Sequence, residues 1–371
     1  MIYVNIIGIA ILSIFGLFII TKKSKVLSDF LLLLVIFLFS GILVSGILLE
    51  HSPSAFQYGV FLFFNSFIFP GLIIYGLVLL DEHHKFKMQW LWTASYAILF
   101  LLFVGVDILI LNTYNTPEQV NGLIQDPSLW YYLFYKGQYV FVIAILIWLI
   151  GKLNVYKRKI KDYFSSIETI HLNWFKNFIY CYLGVNVISL LLFIGLDLNL
   201  MSDISIPLFI EHLILVLALF YLCFHGIKQY NLAELNVYKD LQLTTQKYSS
   251  SSLSAEEMQN LYKQIEQLFQ EGQVYLEPEL KIDVIANKLN VTTHRISQTI
   301  NTLTLKPFYD YVNSFRVDHL KELLLDTDHR KFTILALGIE SGFNSKATLN
   351  RTFKQHVGMT PKAFQQRNIT I

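Results

Sequence analysis

The sequence predicts an all-α protein in two parts, a polytopic bundle of membrane helices followed by a helical domain in aqueous solvent. Hydrophobic residues make up 54% of the 371 residues and charged residues only 15%, whereas soluble proteins average about 25% charged residues. Long apolar runs end near Ile227, and the chain from Lys228 onward has the mixed charge of a globular domain. After Ser254 the apolar periodicity is helical, without strand alternation of useful length.

Seven stretches of the first part are long enough to cross a bilayer, because a helical span takes about 20 apolar residues. None resembles a cleavable signal peptide, since no basic residue precedes the first stretch and three lysines follow it. We therefore predict seven transmembrane helices. They cover Ile2–Ile20, Val26–Leu49, Phe56–Leu80, Trp90–Leu111, Tyr131–Gly151, Trp174–Leu196 and Ser205–Gly226.

The distribution of basic residues predicts the orientation of these spans. Cytoplasmic loops of membrane proteins hold an excess of Lys and Arg. Residues 50–53, 112–130 and 197–203 contain neither, so these loops are predicted to lie outside. The amino terminus is then outside and the carboxyl-terminal part is in the cytoplasm. The basic residues of the alternate loops are Lys22, Lys23, Lys25, Lys85, Lys87, Lys152, Lys157, Arg158, Lys159, Lys161 and Lys176.

Four ionisable residues lie inside the predicted spans at similar depths below the outer surface. They are Asp107, Lys136, Glu211 and His212. Charged groups are costly in hydrocarbon and are functional candidates there. One hypothesis is an outward-facing pocket that binds a ligand or a proton and shifts the bundle between two packings. The alternative is an Asp107–Lys136 or Glu211–Lys136 pair that only neutralises charge.

The composition divides the chain into three segments, a membrane domain over 1–227, a cytoplasmic linker over 228–253 and a helical domain over 254–371. In the linker, Leu232, Leu235, Tyr238 and Leu241 recur every three residues, a weak helical pattern, and a run of four serines follows. A serine-rich segment behaves as a flexible joint. A domain tethered by it is free to reorient.

The sequence does not indicate an enzyme, a metal site or a cofactor. Cys181 and Cys223 lie within apolar runs, so we interpret both as packing residues. The adjacent His83 and His84 point to different sides of any regular element and lack an evident third ligand, so a solvated loop is favoured. No catalytic motif is recognisable in the chain.

The carboxyl-terminal part contains two helix-turn-helix patterns. Ser254–Glu257 is predicted to form a capping box at the start of the domain. In KIDVIANKLNVTTHRISQTIN, two short apolar stripes flank a break at Asn290 and Val291. The arrangement recurs in FTILALGIESGFNSKATLNRTFKQHV with Gly342 at the turn. Pro307 to Leu325 is predicted to form one long connecting helix, because proline is favoured in a first helical turn.

These residues resemble the AraC/XylS-type DNA-binding domain of bacterial regulators, over roughly Leu276 to Arg367. The most specific match is GFNSKATLNRTFKQHVGMTPKAF, and FYDYVNSFRVDHLKELL is similar to the connecting helix of that family. The seven predicted spans and the segment KYSSSSLSAEEMQNLYKQI further resemble the membrane-anchored branch. Gly338 and Ile339 stand where the family more often has alanine and an aromatic residue, which we expect to weaken packing. Gln298 stands where arginine is frequent.

The resemblance, together with helix geometry, implies which side chains face the DNA grooves. Between Ser341 and Ile371 the chain has five basic residues and no acidic one, a pattern that suits phosphate binding. Asn and Gln side chains suit adenine, and Arg or Lys suits guanine. The two recognition helices are expected to enter successive major grooves about 34 Å apart. The predicted DNA-binding residues are Thr293, His294, Ser297 and Gln298 in the first motif and Ser345, Lys346, Ala347, Asn350, Arg351 and Lys354 in the second.

The favoured interpretation is a membrane-tethered, sequence-specific transcriptional regulator in a bacterial cytoplasmic membrane, with a signal sensed through its spans. Two alternatives stay open: a helical interaction module that has lost DNA binding, and a membrane transporter with a regulatory tail. The expected partners are double-stranded DNA, the lipid bilayer, RNA polymerase, a second copy of the chain in a homodimer, and an unidentified small-molecule or membrane signal.

Overall fold

The computed structural model describes residues 2–51, 55–80, 129–168, 170–198, 200, 205–229 and 253–369. Across these ranges the regular elements are helices, apart from one isolated antiparallel bridge. The chain divides into two compact units, one formed by Met1–Asn154 and Leu172–Gln229 and the other by Val155–His171 and Tyr230–Ile371. The predicted all-α fold class is confirmed.

The first unit contains the long apolar helices. Six helices are long and apolar enough to cross a membrane among the residues that the structure describes. The predicted span Trp90–Leu111 and the pair His83 and His84 lie outside these residues, as does the linker from Tyr230 to Ser252. The helices are α1 (Ile2–Thr21), α2 (Leu27–His51), α3 (Ala55–Leu79), α4 (Leu129–Lys161), α5 (Asn173–Asp197) and α6 (Ser205–Lys228).

Helix α4 is longer than predicted, since it continues to Lys161 rather than ending at Gly151. Its last turn contains Arg158, Lys159 and Lys161. Cations stabilise the carboxyl end of a helix through its dipole, which explains why the basic stretch stays helical. The part of α4 from Val155 to Lys161 belongs to the second unit.

The outer surface of the first unit is apolar. Large side chains such as Leu17, Phe18, Phe37 and Leu217 are exposed. Close helix contacts depend on glycine: a Cβ added at Gly76 would come within 2.9 Å of the Phe175 ring. Small residues at helix contacts and exposed apolar side chains elsewhere are typical of membrane bundles.

The second unit contains seven α-helices over residues 253–369. A short 3₁₀ turn at Val274–Leu276 follows the first of them. The helices are α7 (Ala255–Gln270), α8 (Ile282–Leu289), α9 (Thr293–Thr304), α10 (Phe308–Leu325), α11 (Ile334–Glu340), α12 (Lys346–Val357) and α13 (Pro361–Ile369).

Helix α10 joins two hydrophobic cores. Its first half contributes Phe308 and Val312 to a core formed with α7, α8 and α9. Its second half contributes Leu320 and Leu324 to a core formed with α11 and α12. Both groups of side chains are fully buried. The two helix-turn-helix motifs are therefore fixed on one rigid connecting helix.

Hydroxyl side chains cap the amino ends of five helices in this unit. Each oxygen accepts a hydrogen bond from a backbone N–H in the first turn, which satisfies a donor that the helix leaves free. Ser254 and Glu257 form the predicted capping box, and the hydrogen bonds from Ser254 lower the pKa of the Glu257 carboxyl. The capping residues are Ser254, Thr292, Thr333, Ser345 and Thr360.

Candidate nucleic-acid interface

The first helix-turn-helix motif consists of α8 and α9. Asn290 ends α8 in the left-handed conformation (φ 53°), and the Val291 N–H returns to the Ala286 carbonyl at 3.0 Å. Asparagine adopts this conformation more readily than most residues. Thr292 then begins α9. The predicted break at Asn290 and Val291 is confirmed.

The second motif consists of α11 and α12 and turns at Gly342. This glycine has φ 89°, a left-handed conformation that disfavours side chains. Space is restricted as well, because an added Cβ would lie 2.6 Å from the Tyr275 carbonyl oxygen and 2.9 Å from Nε of Arg316. Glycine is required here on both grounds.

Gly338 improves the packing of the second motif, contrary to the expectation from the sequence. Leu349 of α12 fills the space in which a side chain at Gly338 would lie. Leu349 is 1% exposed, so the missing methyl group leaves no void. Ile339 is exposed, which explains why an aromatic residue is not needed at that position for the core.

Arg316 of α10 is a buried cation that binds carbonyl groups. Its Nε donates to the Tyr275 carbonyl at 2.7 Å, and its Nη2 donates to the Glu277 carbonyl at 2.6 Å. Further hydrogen bonds reach the Ser165 hydroxyl at 3.1 Å and the Asn313 side-chain oxygen at 3.4 Å. Burial lowers the pKa of Arg316 to about 10, so the side chain stays charged at neutral pH. The planar guanidinium satisfies several carbonyls at once.

The structure exposes most of the predicted contact residues of the second motif. Lys346, Ala347, Arg351 and Lys354 are exposed on α12, and Asn350 is half-buried. Arg351 donates through Nη2 to the Tyr309 hydroxyl at 3.1 Å. Ser345 is the residue that caps α12 and is half-buried. One face of α12 thus presents three basic side chains.

The predicted contact residues of the first motif are less accessible. His294 is exposed, whereas Thr293 and Gln298 are half-buried. Ser297 is buried, with 8% of its surface exposed. Its hydroxyl accepts a hydrogen bond from the Asn301 amide at 3.4 Å. The Asn301 amide also donates a hydrogen bond to Asp162, which belongs to another chain segment.

That segment comprises residues 161–168, here called the docking segment, and it was not predicted to contact the helix-turn-helix domain. It starts at Lys161, the last residue of α4, and belongs to the same compact unit as the seven helices over residues 253–369. Besides Asn301, it contacts Ser345, Thr348 and Asn344 at the start of α12. The sequence indicated only a basic inner loop at this position.

Three of the four predicted pocket residues lie among the described residues of the first unit, and Asp107 lies outside them. Lys136 pairs with Asp197 and donates to the Phe193 carbonyl at 3.5 Å. Glu211 accepts a hydrogen bond from Ser189, and His212 beside it is half-buried. Asp197, the carboxylate that pairs with Lys136, is the last residue of α5.

Comparisons with known proteins concern the carboxyl-terminal part of the chain. Residues 285–367 match the helix-turn-helix domain family. The melibiose operon regulatory protein of Escherichia coli (strain K12) is 34% identical over 71 residues, which are 19% of this chain and 22% of that protein. "Probable transcription factor PqrA" of Proteus vulgaris is 29% identical over 96 residues, which are 26% of this chain and 76% of that protein.

This chain therefore spans about a fifth of the length of the melibiose regulator. A solved structure of a protein of unknown function from Listeria innocua is 25% identical, covers 28% of this chain and 94% of its own, and has a TM-score of 0.26. The family match over residues 285–367 contains both helix-turn-helix motifs except the first turn of α8. The two curated relatives are described as an operon regulatory protein and a probable transcription factor.

Proposed function

We propose that this chain, whose carboxyl-terminal domain is a helix-turn-helix domain of the AraC type, is a membrane-tethered regulator of transcription that binds specific DNA sequences. The observation that carries the proposal is the pair of motifs on one connecting helix, with exposed basic residues along the second recognition helix. Two rigidly joined motifs read two neighbouring sites on one face of a duplex.

The recognition helices have distinct tasks in this mechanism. Lys346, Arg351 and Lys354 of α12 bind phosphates or guanine edges, and the half-buried Asn350 suits adenine. In α9, His294 and Gln298 contact the neighbouring groove, and undocking of residues 161–168 frees Ser297. Phosphate contacts position the domain and base contacts select the sequence.

Tethering to the bacterial cytoplasmic membrane is supported by the six apolar helices and by the placement of basic residues. With the amino terminus outside, the domain shares a compartment with DNA and RNA polymerase, the partners we propose for it. Pairing of two chains in the bilayer would bring two such domains to adjacent sites. The first unit then acts as both anchor and sensor.

The sensing role is supported by ionisable groups that lie at one end of three helices. Lys136 lies near the start of α4, Asp197 ends α5, and Glu211 lies near the start of α6. Ionisable side chains within apolar helices are typical of sites that bind ligands or protons. We propose that a signal acts on this group of residues and His212.

A binding experiment tests the DNA-binding proposal. The full chain in lipid nanodiscs is titrated with a fluorescent duplex at several salt concentrations. Arg351→Ala is expected to weaken binding by roughly 1–3 kcal/mol. Arg330→Ala is the matched control, because Arg330 is exposed on the loop between α10 and α11. Equal affinity of wild type and Arg351→Ala, or binding that does not depend on salt, favours the interaction-module alternative.

A topology experiment tests the tethering proposal independently of DNA. Protease treatment of whole cells is expected to leave the residues after Gly358 intact, whereas treatment of inverted vesicles is expected to remove them. Cleavage of the carboxyl terminus in whole cells rejects the proposed orientation.

A further inference from the structure

The docking segment is held to the helix-turn-helix domain by its main chain. The Ser165 N–H donates to the Leu280 carbonyl at 3.0 Å, and the Ile282 N–H donates to the Tyr163 carbonyl at 3.0 Å. These two hydrogen bonds form an antiparallel bridge between Phe164 and Lys281, immediately before α8. Tyr163 packs against the first hydrophobic core, and Phe164 is 4% exposed. The segment therefore occupies a defined position.

Two polar side chains of the docking segment contact the first motif and the connecting helix. Asp162 accepts a hydrogen bond from Asn301 of α9 at 3.3 Å. Lys161 forms an ion pair with Asp310 of α10 at 3.3 Å, and its Nζ lies 4.9 Å from the centroid of the Tyr309 ring. Tyr309 also binds Arg351, so the contact reaches a predicted DNA-binding residue.

The docking segment also contacts the amino end of α12, the second recognition helix. Glu168 accepts hydrogen bonds from the Ser345 hydroxyl at 3.4 Å and from the Thr348 hydroxyl. Asn344 donates to the Ser166 hydroxyl at 3.1 Å. A carboxylate thus occupies the positive end of the second recognition helix. This is the position at which a helix amino terminus binds a DNA phosphate.

The acidic group comes from outside the second motif. Residues 341–371 contain no acidic residue, so neither the turn before α12 nor α12 itself supplies a carboxylate. Glu168 supplies the negative charge that DNA would otherwise supply. A carboxylate and a phosphate at one helix end exclude each other by contact and by charge.

Resting on the proposed function, we propose that the docking segment and DNA compete for the same surface, with Glu168 in the place of a backbone phosphate. The docked conformation binds DNA weakly, and release of the segment exposes Ser345, Thr348 and the Asn301 side of α9. The segment continues directly from α4, so a signal that displaces the end of that helix changes the affinity for DNA. The device is an autoinhibitory contact between an inner loop and the recognition helices.

Neutralising Glu168 tests the competition. Wild type, Glu168→Gln and Glu322→Gln are compared as full chains in nanodiscs, with a mixed-sequence fluorescent duplex of about 40 base pairs, long enough for two successive major grooves. Loss of a charge-assisted hydrogen bond at α12 is expected to strengthen DNA binding about tenfold in Glu168→Gln. Glu322→Gln makes the same charge change at an exposed position near the carboxyl end of α10. It is expected to match wild type.

Hydrogen exchange of the wild-type protein supplies a second readout that a general charge effect does not change. Addition of the same duplex is expected to increase exchange at the Ser165 and Ile282 amides, because undocking breaks both bridge hydrogen bonds. Unchanged or slower exchange at these amides in the DNA complex overturns the inference, as does equal affinity of the three proteins. Absence of DNA binding by all three rejects the proposed function as well.

Discussion

Leu349 lies against Gly338 so closely that its side chain fills the space of a missing Cβ. The two residues belong to α12 and α11, the helices of the second motif. Gly338 departs from the family pattern, and the Leu349 side chain occupies the space that a side chain at position 338 would take. This pair leads to the first of four predictions about stability.

Gly338→Ala is expected to destabilise the second motif by about 1–3 kcal/mol, because Leu349 must leave its position. In a Leu349→Ala background the same substitution is expected to stabilise it by about 1 kcal/mol, since alanine is the better helix former. Opening free energies from hydrogen exchange at α12 amides measure both. The same sign in both backgrounds would contradict the packing explanation.

Gly342→Ala and Gly358→Ala separate backbone strain from crowding. Both glycines have φ above +80°, but an added Cβ at Gly358 meets nothing within 4 Å. Each alanine costs about 1–2 kcal/mol for the left-handed conformation, and Gly342→Ala costs about 1–3 kcal/mol more for its contacts with Tyr275 and Arg316. Urea unfolding followed by pulse proteolysis compares the two. Equal losses would show that crowding at Gly342 is relieved without cost.

Arg316→Met is expected to destabilise the second unit by roughly 3–5 kcal/mol, because buried carbonyl groups lose their donor. Arg316→Lys keeps the charge but cannot reach carbonyls on both sides, so an intermediate loss is expected. Arg330→Met on the exposed loop serves as the control and should change stability by less than about 0.5 kcal/mol. The measurement is again pulse proteolysis in urea. If Arg316→Lys keeps full stability, a positive charge at this position is enough to stabilise the second unit, and the hydrogen bonds to carbonyls on both sides are not needed.

Asp162→Asn is expected to stabilise the docked segment at neutral pH. Burial raises the pKa of Asp162, although Asn301 and Lys161 oppose the shift. The native state then binds more protons than the unfolded state above about pH 4, so stability falls as pH rises through the native pKa. The variant lacks this titration, and its opening free energy at Ser165 should vary less with pH. An identical pH dependence in both proteins would exclude Asp162 as the cause.

Much of the second unit follows from local sequence signals. The capping box at Ser254, the turn at Gly342 and the connecting helix ending at Leu325 were each predicted, because caps, glycine conformations and apolar periodicity act over a few residues. The length of the apolar runs located the long apolar helices. The predicted span stopped at Gly151 because hydropathy detects only the apolar part of a helix. The backbone hydrogen bonds of α4 continue to Lys161.

Long-range contacts were not predictable in the same way. Glu168 and Thr348 are 180 positions apart, and Glu168 belongs to no motif recognised in the sequence. The partner of Lys136 was missed because Asp197 stands at a predicted span end and was assigned to a loop. Pairing between distant residues depends on three-dimensional packing, which periodicity does not encode.

The bridge between Phe164 and Lys281 is formed by main-chain groups, which almost every amino acid shares. Mutational drift can therefore replace the Lys281 side chain without removing the bridge. Proline at position 165 is the exception, because an imino acid lacks the N–H that Ser165 donates to Leu280. Among natural variants of this chain, position 281 should tolerate many residue types, whereas position 165 should exclude proline.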